Sequence, residues 1–260
     1  MQARHKDRET YFRESEISCE KYYIPYIREF IDMELNENYS VMEIGCSMGG
    51  NLSVFACSGC KVAGVEPYSV FLDLAKEYFE KRNLKATFIN TDIFDYHNTE
   101  TKFDLLILHD VLEHIPEKEA LLRHLKKFMK DDGVLYVGFP AWQMPFGGHQ
   151  QMAKNKMLAN FPYIHLLPRR LLKFILQSFG EPDTLLKELF SIRDCRISIE
   201  GFNRLIAKTG YRIVNKRLYF INPHYEVKFG LKPRILHPLI AKIPYLRNFF
   251  TTTCYCLLRK

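Results

Sequence analysis

Three histidines of this chain could take up a proton, because an unperturbed imidazole titrates at about pH 6.5. His109 follows an apolar run, and His149 stands beside two glycines in Pro-Phe-Gly-Gly-His-Gln; His165 comes later. Glycines beside a histidine are typical of loops that approach a ligand, and a base assists any acceptor that loses a proton. We rank His149 and His109 as candidate catalytic residues and His165 behind them. The alternative for His149 is that it anchors the segment after it.

A glycine-rich turn joins an apolar stretch to a predicted helix in residues 41–52, Val-Met-Glu-Ile-Gly-Cys-Ser-Met-Gly-Gly-Asn-Leu. Glycines let the backbone approach a bound group closely. Glu66 ends the next predicted strand about twenty residues beyond Gly45, the spacing of an acid that binds a ribose diol. Asp92 follows the third strand. Together the turn and the two acids predict a nucleoside-containing cofactor, with a solvated strand end for Glu66 and a helix cap for Asp92 as the alternatives.

The elements that position these residues alternate between strand and helix, which favours a doubly wound α/β fold. Strands are predicted over residues 40–44, 61–65, 86–90, 103–108, 133–139, 211–220 and 251–258, and helices over 15–33 (with a kink at Pro25), 49–57, 69–82, 116–130 and 198–209. The strand at 103–108 is apolar without alternation, as in a parallel sheet buried on both faces. Helix-like pieces without a clear strand fill the insertion 141–197, and a shorter insertion covers 221–249.

These motifs resemble the class I S-adenosylmethionine-dependent methyltransferases, particularly the small-molecule branch that includes the ubiquinone and menaquinone enzymes. The family's acid-x-Gly-x-Gly-x-Gly turn is matched by Glu43-Ile-Gly-Cys-Ser-Met-Gly, with Ser47 in place of the middle glycine. Val-Ala-Gly-Val-Glu-Pro at 62–67, Asn-Thr-Asp-Ile at 90–93 and Leu-His-Asp-Val-Leu-Glu-His-Ile-Pro at 108–116 resemble the following motifs. The resemblance covers residues 40–139 well, the last strands in outline and the insertions not at all.

The resemblance implies a Rossmann-like seven-stranded sheet with a helical insertion after the fifth strand, and S-adenosylmethionine as the cofactor. It implies an N-terminal helical lid at 1–39, a core at 40–140 and 198–260, and a substrate cap at 141–197. His109 would face the place of methyl transfer, while Glu113 and His114 are interpreted as helix-anchoring residues. The implied cofactor-binding residues are Glu43, Gly45, Cys46, Ser47, Gly49, Glu66, Pro67, Asp92, Ile93, His109 and, from the lid, Arg13 at the methionine carboxylate.

Composition and motif content narrow the functional classes that remain possible. The net charge of +7 is compatible with an anionic partner, yet no RNA-binding motif, zinc finger or helix-turn-helix is visible, so nucleic acid is disfavoured. We interpret the seven scattered cysteines as reduced thiols of a cytoplasmic protein. We expect no metal site, no signal peptide and no transmembrane helix. A nicotinamide-binding domain is disfavoured because the Gly-x-Gly-x-x-Gly spacing is absent.

The two insertions mix apolar, aromatic and basic residues, as in the stretches 161–176 and 229–250. Such segments are typical of peripheral contact with a membrane surface, here its inner face. The alternative, which we favour, is a cap that packs its own core and turns its basic residues outward. The expected acceptor is a small molecule, a glycan or a lipid-linked compound, with oxygen, nitrogen and carbon all open as the methylated atom. An RNA methyltransferase and a non-catalytic S-adenosylmethionine-binding protein are the other functions considered.

Overall fold

The computed structural model describes residues 7–260, and its centre is one eight-stranded sheet in the order β3-β2-β1-β4-β5-β8-β6-β7. The strands are β1 (Ser40–Ile44), β2 (Lys61–Val65), β3 (Thr87–Ile89), β4 (Phe103–His109), β5 (Met129–Phe139), β6 (Arg212–Ile221), β7 (Arg234–Ile235) and β8 (Thr253–Arg259). The first five strands pair in parallel, while β8 is antiparallel to both of its neighbours. The predicted α/β class is confirmed.

Helices cover both faces of the sheet. They are α1 (Arg8–Ser18), α2 (Ile24–Arg28), α3 (Gly50–Cys57), α4 (Ser69–Lys81), α5 (Lys118–Leu125), α6 (Lys156–Asn160), α7 (Arg169–Ser178), α8 (Asp183–Asp194), α9 (Ile199–Thr209), α10 (His224–Phe229) and α11 (Pro238–Ala241), with a π-helical turn at Cys19–Tyr23. One apolar cluster lies under α5 and α9, and a second lies under the N-terminal helices, α3 and α4. β4 is buried on both faces, as is typical of a strand in the middle of a parallel sheet.

The sheet differs from the seven strands expected by one short edge strand. β7 has only two residues, both exposed, and pairs antiparallel with β6 inside the predicted insertion 221–249. A strand of this length with both side chains in solvent has no alternating pattern that a sequence could display. The predicted number of seven strands was therefore one too few, because it omitted this edge strand.

The N-terminal helix begins earlier than predicted and breaks before its proline. The carboxylate of Asp7 accepts from the Thr10 backbone N–H at 3.1 Å and so caps α1. The break is the π-helical turn, where the Ile24 N–H donates to the Cys19 carbonyl, five residues back. Pro25 sits in the first turn of α2, directly after the π-helical turn, which is a common irregularity beside a helical proline. The part of the predicted lid at 1–6 lies outside the described residues.

The segment 141–197 folds as three helices around a small core of its own. Leu158 on α6, Leu172 and Leu176 on α7, and Leu186 and Leu189 on α8 are buried in it. This core is separate from the two clusters against the sheet. Across the described residues, no helix is long and apolar enough to span a bilayer.

Candidate active site

A cavity of about 660 Å³ opens where β1 and β4 lie side by side, at the carboxyl ends of the parallel strands. In doubly wound sheets this is the point where strand order reverses and ligands bind. Tyr11, Phe12 and Ser15 of α1 line it from above, and Tyr23 lines it from the π-helical turn. The cavity is therefore enclosed between the sheet edge and the N-terminal helix.

One wall, here called the glycine wall, comes from β1 and the turn after it: Glu43, Gly45, Cys46, Ser47 and Asn51 line the cavity. Gly45 has φ +69°, and a Cβ built there would lie 2.6 Å from Val111 Cγ2. Only glycine fits both conditions without strain. Ser47 also has a positive φ of 47°, and its N–H donates to Glu66 Oε2 at 3.0 Å. That bond supports the conformation at the position where the family motif has glycine.

Glu43 is a buried acid, and only one of its two carboxylate oxygens has a hydrogen-bond partner. Its Oε1 accepts from Asn51 Nδ2 at 2.6 Å, while Glu43 Oε2 and Asn51 Oδ1 are buried with no hydrogen-bond partner. Burial raises the pKa of Glu43 to about 8, and the nearby Glu66 adds to the rise, against the opposing bond from Asn51. Two unpartnered acceptors side by side in a cavity wall suit a cationic group of a ligand.

Glu66 and Gly49 lie behind this wall and are not among the residues that line the cavity. Glu66 accepts the Ser47 and Tyr68 N–H groups, while Asn90 Nδ2 donates at 3.0 Å to the carbonyls of Glu66 and Pro67. Glu66 therefore braces the glycine turn from the next strand, and Gly49 continues the turn as the left-handed residue that precedes α3.

Asp92 and Ile93 stand beyond the third strand. Asp92 is exposed, and its Oδ1 accepts from the Phe94 N–H at 2.9 Å, which caps the short turn Ile93–Asp95. Asp92 therefore acts as the helix cap that we considered as the alternative. Only its Oδ1 takes part in this bond, and Oδ2 does not. Ile93 is buried beside it. Their contact with a nucleobase stays a prediction.

Arg13 points away from the cavity. Its guanidinium bonds Glu9 at 3.1 Å on the outer face of α1, with the side chain 64% exposed. The helix itself is docked tightly: a Cβ at Gly50 would lie 2.7 Å from the Phe12 carbonyl oxygen. Helix α1 therefore contributes aromatic and backbone surface to the cavity, and the contact of Arg13 with a methionine carboxylate stays a prediction.

His109 stands at the end of β4, where the resemblance places it, with its side chain 7% exposed. Its Nε2 lies 2.9 Å from the Tyr23 hydroxyl and its Nδ1 lies 3.3 Å from that of Tyr136. Gly138 makes room for the ring, because a Cβ there would overlap the imidazole. Burial lowers the pKa of His109, which the carboxylate of Asp110 partly offsets. The ring is therefore a neutral base held among tyrosines.

A second wall, here called the histidine wall, is formed by His114, His149 and Glu188 with apolar residues of the loop after β5. The His114 and His149 rings meet edge to face, with centroids 5.1 Å apart. His149 has φ +56°, a strained conformation that side chains adopt mostly at functional or tightly packed positions. Burial, with His114 second, lowers the pKa of His149 to about 4.

Glu113 extends this group to a set of donors that could hold a cation. One ligand atom from each of Glu113, His114 and His149 lies within 4.8 Å of the others. Glu113 Oε2 is buried without a hydrogen-bond partner, and burial raises the pKa of this carboxyl well above its usual range. The sequence predicted no metal constellation because these donors come from two loops about 35 residues apart, unlike the close ligand pairs that reveal a zinc site.

His165 is a packing residue of the segment 141–197. Its Nε2 bonds the Trp142 carbonyl at 2.8 Å, its ring is buried against the Trp142 ring, and Arg193 donates to its backbone carbonyl at 2.8 Å. It does not line the main cavity. Of the three candidate bases, the structure brings His109 and His149 to the cavity and places His165 outside it.

Sequence reasoning missed three lining residues of clear interest: Tyr23, Asn51 and Glu188. Asn51 could have been found, since it is the second residue of the helix that follows the glycine motif. Tyr23 and Glu188 could not, because their side chains reach the site only through the π-helical turn and the fold of the cap.

Comparison with known proteins agrees with this geometry. A family model described as a methyltransferase domain matches residues 18–180, which is more than half of the chain. The chain belongs to this methyltransferase family, and its sheet has the class I, Rossmann-like arrangement.

The relatives are distant. A ubiquinone biosynthesis O-methyltransferase of Bartonella tribocorum (strain CIP 105476 / IBS 506) is 26% identical over 58% of this chain and 68% of its own length. The one of Actinobacillus pleuropneumoniae serotype 7 (strain AP76) is 28% identical over 43% of this chain, which spans about half (51%) of that relative. A structure of the plantazolicin methyltransferase BpumL in complex with SAH aligns with a TM-score of 0.54 and 13% identity over 97% of this chain and 84% of that one. That likeness concerns the fold.

Proposed function

We propose that this protein transfers the methyl group of S-adenosylmethionine to an oxygen of a small-molecule acceptor. The observation that carries the proposal is the single cavity between the glycine wall, with its unpartnered Glu43, and the histidine wall. The names of the relatives, O-methyltransferases of a small molecule, support oxygen as the methylated atom.

The residues present fit the cofactor's charges. S-adenosylmethionine carries an ammonium group and a sulfonium centre, and the two unpartnered oxygens of Glu43 and Asn51 would accept hydrogen bonds from an ammonium. The left-handed Gly45 leaves the wall open for a close approach of ligand to backbone. When bound, the cofactor supplies an electrophilic methyl group. Glu66 would help to position the ribose by holding the glycine turn in place. Asp92 and Ile93 would contact the adenine.

The chain's own contribution is alignment, exclusion of water and proton transfer. Helix α1 closes the cavity, which keeps competing water from the reacting atoms. His149 has its pKa lowered to about 4, so it is neutral and able to accept a proton at physiological pH. His109 is neutral for the same reason of burial. Both histidines thus serve an acceptor whose hydroxyl must lose its proton.

The test is calorimetric titration with S-adenosylhomocysteine and S-adenosylmethionine, on the wild type and on Glu66→Ala. We expect micromolar binding of both ligands and a loss of at least about tenfold in affinity in the variant, since the turn loses its brace. A folded wild type that binds neither ligand contradicts the proposal. Binding without methyl transfer to any of a panel of phenols, alcohols and carboxylates would favour a non-catalytic binding protein.

We propose further that the acceptor is lipid-linked and is reached from a membrane surface. Apolar side chains of both insertions stand in solvent, with Phe174 67%, Tyr245 65% and Leu239 68% exposed. The insertions meet at Tyr163 and Phe249, whose ring centroids are 6.4 Å apart. Exposed basic residues flank these side chains, among them Arg170, Lys173, Lys232, Arg234 and Lys242. Apolar side chains flanked by cations suit an anionic bilayer.

Flotation with liposomes tests this second proposal. We expect binding to vesicles that contain phosphatidylglycerol, weaker binding to phosphatidylcholine alone, and loss of binding in the double variant Phe174→Ser, Leu239→Ser. Val70→Ser is the matched control, because Val70 is 56% exposed on α4, outside both insertions. A wild type that stays unbound with both vesicles contradicts membrane contact and leaves the cofactor proposal untouched.

A further inference from the structure

Both ring nitrogens of His109 face tyrosine hydroxyls, which limits how this histidine can act. Tyr136 Oη lies 3.3 Å from Nδ1 and is fully buried, so that side is closed to ligands. Tyr23 Oη lies 2.9 Å from Nε2, and Tyr23 itself lines the cavity. His109 lines the same cavity, and the Tyr23 hydroxyl occupies the hydrogen-bonding position at Nε2, so a ligand that approaches this nitrogen meets the Tyr23 hydroxyl there.

The π-helical turn places this hydroxyl. Within Cys19–Tyr23 the backbone bond spans five residues, so the turn holds one residue more than an α-helical turn. Two consecutive tyrosines of this turn face different partners: the Tyr22 hydroxyl donates to Glu226 of α10, and Tyr23 points inward to His109. Turns of this kind are rare and are frequently found at functional sites.

We propose that Tyr23 relays the acceptor's proton to His109, an inference that rests on the proposed methyl transfer. As the acceptor oxygen gains the methyl group, the bond from that methyl group to the cofactor's sulfur would break and leave a neutral thioether, while the acceptor's O–H bond breaks and its proton passes to Tyr23 Oη. The hydroxyl proton that Tyr23 carried passes in turn to His109 Nε2, so that Tyr23 ends neutral and His109 ends as the imidazolium. No oxidant or further reactant is needed.

The surroundings of His109 are consistent with proton transfer from Tyr23 to its ring. Asp110 Oδ2 lies 3.5 Å from Nε2 and is the charged group at the ring, so it stabilises the imidazolium once formed. The other neighbours are the rings of Tyr23, Tyr136 and Tyr255. Before the reaction, burial keeps the imidazole neutral. In that state the relay requires the Tyr23 O–H to donate to an unprotonated Nε2, with the ring proton on Nδ1 towards Tyr136.

The experiment is ¹⁵N NMR of the full chain labelled at histidine, at a pH near 7.5. We expect His109 Nε2 to resonate as an unprotonated nitrogen in the wild type. In Tyr23→Phe the donor is gone, so the ring proton moves to Nε2, towards Asp110, and the Nε2 resonance shifts to the protonated range. Tyr22→Phe is the matched control, since it removes a neighbouring lid hydroxyl and leaves the His109 resonances unchanged.

A protonated Nε2 in the wild type, or resonances unmoved by Tyr23→Phe, would overturn the relay. Titration of the same samples with S-adenosylhomocysteine separates this failure from that of the proposed function. If the wild type binds the ligand, and Tyr23→Phe binds it within about threefold, the cofactor site stands whatever the NMR shows. If the wild type fails to bind, the proposed function fails, while the tautomer result still decides whether Tyr23 donates to His109.

Discussion

The glycine wall and the histidine wall enclose one cavity but are built in opposite ways. The glycine wall comes from one continuous segment, residues 43–51, braced by a single carboxylate from the next strand. The histidine wall is assembled from the loop after β4, the loop after β5 and α8. A wall made of backbone conformation suits one ligand of fixed chemistry. A wall made of side chains on loops can change with the ligand it has to accept.

The largest effect should follow from Gly45→Ala. The new methyl group needs the left-handed φ of +69° and would meet Val111 Cγ2 at 2.6 Å, so the turn must shift. We expect affinity for S-adenosylhomocysteine to fall by at least about 100-fold by calorimetry. Gly59→Ala is the control, because Gly59 has a similar φ of +86° and its nearest neighbour is 3.9 Å away. Equal losses in both variants would show that general strain, not the glycine wall, is responsible.

His149→Asn tests the other wall. Asparagine tolerates the left-handed conformation of this position, so the backbone should hold while the base is lost. We expect kcat on any acceptor that the wild type methylates to drop about 100-fold, with affinity for S-adenosylhomocysteine changed by less than about threefold. A variant that loses cofactor affinity and rate together would mean that the two walls are not independent.

Glu43→Gln should alter the pH dependence of cofactor binding. In the free protein the pKa of Glu43 is about 8, so below that pH the acid must release its proton to meet the ligand's ammonium. Affinity of the wild type for S-adenosylhomocysteine should therefore rise up to about tenfold per pH unit between pH 6 and pH 8. Titrations in buffers of different ionisation enthalpy should detect the released proton in the wild type and none in Glu43→Gln. A wild type with no proton release would place the ammonium elsewhere.

The last prediction concerns the stability of the histidine wall and of the segment 141–197 in acid. Burial lowers the pKa values of His149 and His165 to about 4, below the unfolded value of about 6.5. Their contribution to stability is present above pH 6.5 and is lost as the pH falls to 4, with a slope of up to about 1.4 kcal/mol per pH unit for each group. Urea unfolding between pH 7 and pH 4.5 should show this fall, and His165→Gln should make it shallower. Parallel curves would mean that His165 does not titrate in this window.

The same contrast explains how much the sequence could predict. The glycine turn and β2 were predictable because a strand, a turn and a helix follow one another within 41–65 and leave a local pattern. The meeting of His114 with His149 was not, because it depends on how two loops fold over the sheet edge. Tyr23 was missed because no residue pattern marks a π-helical turn. Arg13 was assigned from resemblance alone; in the structure it pairs with Glu9 on α1, and its contact with the methionine carboxylate stays a prediction.

The close seating of α1 on Gly50 has a kinetic consequence. A cofactor bound in the cavity would lie beneath Tyr11, Phe12 and Ser15, and the same helix is held by a 2.7 Å hydrogen bond from Ser53 to Glu16 and by the Arg82–Glu16 ion pair. We expect spent cofactor to leave only when this helix lifts. The residence time of the product, and with it the ceiling on turnover, is then governed by a helix that takes no part in the chemistry of the bond being made.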